Sequence, residues 1–498
     1  MARFETMNSV AQRQPHLQAG ILGLIAAVFA VSVTVVTYQG ASAPGYALFC
    51  VGVLALLLLT FLVYTPPLVP FTTALIFVTS PAPLLLSLQQ SALISAFLLG
   101  GAIVAFIVRT PFRSMVRDPL FLPVGFFAAY GIVSGAYGMV LGNDVAYVLG
   151  DSFQVIEFAA VYFLVAQLLN NKENVHRLLK LLLGSILITI LLELALFALG
   201  PGAGDLLPSW DGSFISGSLV RTIDIDATIL FAVLINLYPA AASRRQRLWI
   251  GIALVPTVAN IALSLSRGLW ICTLVAAIVS LVLQARNLRM RLLATSALLS
   301  IGLVLVAATW KIGSDSDVSL LSVLEERVFY GVSQVELGIA GTDSMATRRF
   351  LEVAIVGPQV LAKPWLGHGL GATYVIGGYA VLDSGTNAPI DNHFIHNLYL
   401  VTAFRMGAIG LGLLLWMLFR YFRTVLRASK RMPASVPRAL VVGFVASVAG
   451  QLFLSLTQPT VIDHPTCALI ACAMALSLRL ATVNSLGYNQ RMEVKNVI

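Results

Sequence analysis

The chain has 498 residues, 58% hydrophobic and 11% charged, with a mean hydropathy of +0.89 and a formal net charge of +9. So few charges cannot cover the surface of a soluble domain, and the composition predicts a polytopic membrane protein. The basic residues are dispersed between apolar runs, which excludes the single basic face that nucleic-acid binding requires.

In chain order, Arg3 and Arg13 precede an apolar stretch that runs to span length with no small-residue cleavage site, so 1–18 reads as a cytoplasmic tail. A spanning helix needs about 20 apolar residues, because in lipid every backbone amide must be satisfied within its own helix. Runs of that kind fall at 19–38, 45–63, 68–82, 84–108, 119–141, 152–169, 178–199, 223–242, 248–265, 268–285, 292–310, 396–419, 438–457 and 461–480. The run at 68–82, hemmed by Pro66, Pro67, Pro81 and Pro83, reads as short or re-entrant, which gives about 12–14 helices in an all-α fold. The chain then divides into an N-terminal transmembrane region (19–310), a large outer loop (311–395), C-terminal transmembrane helices (396–480) and a cytoplasmic tail (481–498). With the N-terminus inside, most of the 31 Lys and Arg fall in inner loops and tails, as the positive-inside rule expects. The cysteines Cys50, Cys272, Cys467 and Cys472 all sit in apolar runs and read as packing residues.

Two outer loops are large. The first, 200–222, is rich in Gly, Ser and Pro and reads as irregular. In the second, Leu321, Leu324, Val328, Val332 and Val335 recur at helical spacing, and a further helix should run from an N-cap at Ser344 through Arg348 and Arg349 to about Leu361, stopped by Lys363-Pro364.

Ionisable residues near the membrane carry the functional signal. Residues 248–285 are too long for one span, so the chain must turn near "LSLSRGLW", with Gly268 as the natural break and Arg267 close to the outer surface. Such an arginine either snorkels to the headgroups or holds an anion. His393 and His396 stand three apart at the head of the run 396–419 and could share a helix face. Asp391, His368, Asp463 and His464 are conceivable partners in a metal site, but the spacing matches no known ligand set and "HFIH" lacks the zincin glutamate. A capping histidine or a catalytic imidazole fits the outward-facing position better. "GHGLG" at 367–371 follows a helix in an outer loop, so it is not a dinucleotide fingerprint. Arg405 lies nine residues past His396, about 180° round an ideal helix, and should instead pair with a carboxylate or carbonyl of a neighbouring helix, with Asp463, Glu157 and Glu193 as candidates.

Three elements together resemble the O-antigen ligase and polysaccharide polymerase family. "HNLYLVTAFRMGAIG" carries His396-Asn397, Gly407 and Gly410 at the spacing of the family's histidine motif. "RRFLEVAIVGPQVLAKPWLGHGLG" resembles its arginine-bearing helix and glycine turn, and "LSLSRGLW" its Ser-Arg-Gly turn. A looser match is "RTIDIDATIL", where Asp224 and Asp226 replace an Asn-Pro-Asn-like segment after Arg221. The resemblance implies a fold similar to the C-type glycosyltransferases and a metal-independent enzyme of the bacterial inner membrane with no cofactor. Its active site would face the periplasm, passing a glycan from undecaprenyl pyrophosphate to lipid A core or a growing polysaccharide. On that reading His396 is the general base, Arg267, Arg348, Arg349 and Arg221 bind the pyrophosphate, and Asn397, His393, Gly407 and Gly410 support them. Arginine's fixed, permanently charged fork suits a pyrophosphate, and imidazole suits proton abstraction near pH 7. A transporter of a small solute or lipid-linked sugar, or a non-catalytic envelope-assembly subunit, would share the polytopic pattern. A transporter, however, would gather its polar groups near mid-membrane.

Overall fold

The structure is a computed structural model that describes residues 118–168, 172–199, 226–264, 266–284, 345–375, 393–457 and 466–495, with 116, 214–215, 219–220, 289–290 and 293. The runs at 19–38, 45–63, 68–82 and 84–108, almost all of 292–310, and the expected helix around 321–335 lie outside the described residues.

Every other apolar run falls on a helix. These are α1 (Phe121–Val140), α2 (Val145–Leu168), α3 (Lys172–Leu199), α4 (Asp226–Ala240), α5 (Arg244–Leu263), α6 (Arg267–Leu283), α8 (Leu398–Arg431), α9 (Val436–Leu454) and α10 (Thr466–Lys495), with α7 (Met345–Ala362) in the large loop. Among the described residues six helices are long and apolar enough to cross a membrane, and α4, α6 and the first part of α10 are shorter apolar helices. The chain is therefore an all-α polytopic membrane protein. Large apolar side chains such as Leu122, Phe126, Val133, Val255, Leu415 and Phe419 are exposed on these helices, as faces turned to acyl chains must be. The loop at 200–222, read as irregular, contains a short antiparallel hairpin pairing Phe214 with Val220 and Ile215 with Leu219.

The core centres on α9, which packs against α4, α6 and α10. Small residues permit the close approach: a Cβ on Gly443 would stand 2.8 Å from Val233 Cα, and one on Gly450 would stand 2.7 Å from the Cys272 carbonyl oxygen. Cys272, Cys467 and Cys472 are buried and free, as packing residues should be. Polar side chains inside the bundle are paired. Gln451 donates to Thr228 Oγ1 at 2.6 Å, Asn236 to Ser280 Oγ at 2.7 Å, and Asn260 to Glu193 Oε2 at 2.6 Å. The cost of an unsatisfied polar group in lipid makes such pairs obligatory.

The turn between α5 and α6 falls slightly earlier than the glycine suggests. α5 ends at Leu263 and α6 begins at Arg267 behind an extended N-cap, Ser266, whose backbone N–H donates to Ser264 Oγ at 3.3 Å. Serines that can bond the local backbone break the helix here. Gly268 lies inside the first turn of α6, where a Cβ would approach Leu454 Cδ1 to 2.8 Å. Its role is close packing on α9.

α8 contains the defining irregularity. Gly407 adopts φ 64° and ψ −169° inside an otherwise helical segment. In an unbroken helix the amides of Ala408 and Ile409 would donate to the carbonyls of Phe404 and Arg405. Here they donate instead to Pro364 at 2.7 Å and Trp365 at 3.4 Å, while the two vacated carbonyls accept from His368 at 2.8 Å and Gly369 at 2.9 Å. The hydroxyl of Tyr130 donates to the next carbonyl, that of Met406, at 3.1 Å. A turn from the loop is thus spliced into the hydrogen-bond ladder of α8. Gly367, Gly369 and Gly371 all have positive φ, and a Cβ on Gly367 would stand 2.6 Å from both Gly407 N and Phe404 O.

The splice predicts a sharp contrast within one helix. Gly407→Ala combines a left-handed backbone with a collision against the Trp365 carbonyl, so it should cost more than about 2 kcal/mol and lower the melting temperature in detergent. Gly412→Ala, five residues on with open space around its Cα, should leave the melting temperature unchanged or raise it. Equal effects would contradict the splice.

Candidate active site

α8 begins where its N-cap makes it begin. Asn397 is extended, and its side-chain oxygen accepts from the backbone N–H groups of Tyr399 and Leu400 at 2.9 and 3.0 Å. Its amide nitrogen donates to the Leu456 carbonyl at 3.1 Å, and Leu398 N–H donates to the Ser455 carbonyl at 2.9 Å. The start of α8 is therefore fixed to the turn that ends α9. The same turn receives the α5–α6 connection, because Gly268 packs on Leu454 and faces Thr457. The residues next to His396 and the residue next to Arg267 thus converge on one four-residue turn, 454–457.

Neither histidine lies on a helix. Both belong to the lead-in before Asn397, and they turn to different neighbours, which replaces the shared helix face expected from their spacing. His396 meets α7. Its backbone N–H donates to Glu352 Oε1 at 2.6 Å and its Nδ1 lies 3.1 Å from Glu352 Oε2. Glu352 is buried, whereas 37% of the His396 side chain is exposed. Phe394 packs edge-on against the imidazole at 4.6 Å. Beneath this contact Val356, Ile395, Val401, Phe404, Ala372 and Tyr374 form the apolar cluster that seats α7 on α8.

His393 turns towards α2. It stacks on Tyr147 at 3.9 Å, and its carbonyl accepts from Arg405 Nη2 at 2.5 Å. Arg405 Nη1 donates to Asp151 Oδ1 at 2.8 Å, and Asp151 Oδ2 accepts from the Gly371 backbone N–H at 2.7 Å. Arg405 therefore pairs with a neighbouring helix as expected, but through Asp151. Of the carboxylates proposed for it, Glu157 accepts from Cys467 Sγ at 3.2 Å, Glu193 holds Asn260, and Asp463 lies outside the described residues. The 180° argument fails at its origin, since His396 precedes the helix.

Arg267 is exposed at the N-terminus of α6. Arg348 and Arg349 lie on α7, four and three positions before Glu352. Arg221 lies outside the described residues. The supporting residues have structural explanations: Asn397 caps α8, His393 contacts Arg405, Gly407 makes the splice, and Gly410 lies close to Tyr130 Cε1, where a Cβ would stand at 3.3 Å. His368 is engaged as well, stacked on Phe404 at 4.7 Å with its Nε2 3.0 Å from the Gln359 carbonyl oxygen. Among the described residues no three His, Cys, Asp or Glu side chains converge as a metal site would require.

Residues 252–415 match the family model described as O-antigen ligase. Over that region, which is about a third of the chain, the protein is similar to the O-antigen ligase family. The match runs from within α5 to the middle of α8 and includes Arg267, Arg348, Arg349, Glu352 and His396. An O-antigen ligase family member is, in general terms, a ligase- or polymerase-type membrane glycosyltransferase that uses lipid-linked glycan donors and polysaccharide acceptors. No curated protein matches the chain.

Sequence reasoning missed two residues at this corner, Glu352 and Asp151. Each is an isolated acid in an apolar helical stretch, which was the available signal. The Asp151–Arg405 contact makes a quantitative prediction. Removing one partner of a buried ion pair typically costs about 3–5 kcal/mol, because the other charge stays buried. Asp151→Ala also strips the acceptor from Gly371 N–H, so it should lower the melting temperature strongly, with Asp151→Asn intermediate. A melting temperature equal to the parent's would show that the pair does not hold the turn.

Proposed function

We propose that the chain transfers a glycan from undecaprenyl pyrophosphate to an acceptor hydroxyl on the periplasmic side of the inner membrane, as an O-antigen ligase or polysaccharide polymerase and without a metal. The observation that supports this reading most directly is the convergence of the α5–α6 turn and the start of α8 on the turn 454–457, which holds the elements bearing Arg267 and His396 at one end of the bundle.

The chemistry follows from the donor. The acceptor oxygen attacks the anomeric carbon, and the bond from that carbon to the pyrophosphate oxygen breaks with its electron pair leaving on the pyrophosphate. The acceptor's proton passes to His396. Negative charge grows on the leaving group, and fixed guanidinium donors stabilise it there. Arg267 has the exposure that this task needs. Arg348 and Arg349, on the helix that reaches His396, and Arg221 complete the proposed pyrophosphate set. Adjacent helical residues point about 100° apart, so Arg348 and Arg349 take different roles.

The reading is tested with purified chain and undecaprenyl-pyrophosphate glycan, offering lipid A core or more donor as acceptor and identifying the products. His396→Ala should reduce transfer by about 10²–10⁴ while donor binding persists. Arg267→Lys retains the charge and loses the bidentate fork, so it should recover only part of the activity lost in Arg267→Ala. Full activity in His396→Ala would refute the base assignment. An Arg267→Ala variant with parental transfer would remove that arginine from the site.

A further inference from the structure

We propose that Glu352 is a positioning residue for the transfer, one that fixes both the place and the tautomer of His396. The inference rests on the glycosyltransferase reading above and names a side chain that the reading does not require.

The geometry is a two-point grip. One carboxylate oxygen accepts the His396 backbone N–H at 2.6 Å, and the other stands 3.1 Å from Nδ1 of the same residue. A carboxylate only accepts, so the ring nitrogen facing it must carry the hydrogen. That assigns Nδ1–H and leaves Nε2 with its lone pair. Among the described residues Nε2 has no hydrogen-bond partner, and the ring is partly exposed, so this lone pair is the one an acceptor hydroxyl can reach. The backbone contact prevents the ring from sliding away, and Phe394 closes one side of it. The same logic governs the acid behind the base in hydrolytic triads.

The surroundings explain why the grip is specific to Glu352. It sits one helical turn before Val356, with which it shares the buried face of α7. Asp151 is occupied by Arg405 and Gly371, and His393 turns to Tyr147 and Arg405, so neither competes for His396. The end of α9 offers His396's neighbours only carbonyl oxygens.

Because one carboxylate makes both contacts, a plain loss of activity would not distinguish a chemical role from a clamp. Glutamine does. In Glu352→Gln the amide oxygen must take the backbone N–H, since its NH₂ would meet that donor head-on. The NH₂ is then forced towards Nδ1 as a donor, which places the hydrogen on Nε2 and removes the useful lone pair. Glu352→Ala leaves Nδ1 to water, and both tautomers form.

The proposal therefore predicts crossed orders. In thermal stability Glu352→Gln should exceed Glu352→Ala, because it keeps the link to the His396 backbone. In kcat Glu352→Gln should be no better than Glu352→Ala, with both down by roughly 10²–10⁴ and the KM for undecaprenyl-pyrophosphate glycan close to the parent's. The assay uses full-length purified protein with His396→Ala alongside. If kcat instead follows stability, with Gln close to the parent and Ala low, Glu352 is only a clamp and the proposal is overturned. If His396→Ala transfers at the parental rate, the base reading itself has failed. That result differs from one in which His396→Ala is inactive and Glu352→Gln fully active, which overturns the positioning role alone.

Discussion

A backbone break inside an apolar helix is tolerable only if the freed amides and carbonyls find new partners, and in α8 the turn at 364–369 and the Tyr130 hydroxyl supply them. Two amides and two carbonyls exchange partners across the break, so the loop is held by main-chain bonds that depend on no side chain. The glycines follow from this exchange. Gly407 must open the helix, and Gly367 must lie against it where a Cβ would strike the backbone. The spacing between the histidine motif and its glycine is thus the distance along α8 from its cap to its splice.

Two acids then divide the work on either side of α8. On the α2 side Asp151 joins Arg405 and the glycine turn through buried charge-assisted contacts, which stiffens the spliced loop. On the α7 side Glu352 reaches His396, and the apolar cluster around Val356 and Phe404 keeps α7 seated. The splice, the ion pair and the cluster all act on the few residues before and after Asn397. The turn at 454–457 adds the link to α6 and Arg267. A rigid polar corner at one end of a lipid-embedded bundle needs this much anchoring, because each loose polar group in such a place is expensive.

Much of this was legible in the chain itself. Apolar run length located the described spans, and the stop at Lys363-Pro364 placed the end of α7 within a residue or two. Pattern also singled out Arg267 and His396, since charge at the margin of an apolar run is conspicuous. What periodicity cannot supply is pairing between distant segments. Arg405 and Asp151 are 254 residues apart, and Glu352 and His396 are 44 apart, so nothing local ties either pair together. The assumption of an ideal helix also misled. It placed His396 on a helical face that starts only at Leu398, and it set the α5–α6 break at Gly268 when Ser264 and Ser266 make it.

On the proposed reading, arginines and a held histidine do the work that acidic sites elsewhere assign to a divalent cation. Magnesium and manganese favour carboxylate oxygens, and at this corner two carboxylates among the described residues, Asp151 and Glu352, are committed to Arg405 with Gly371 and to His396. The most direct measurement is the rate of glycan transfer by purified chain from undecaprenyl-pyrophosphate donor in excess EDTA, compared with added magnesium or manganese. The account predicts the same rate in all three conditions. Loss of transfer in EDTA with recovery on adding manganese would contradict it, and would direct attention to Asp224 and Asp226 as the missing ligands.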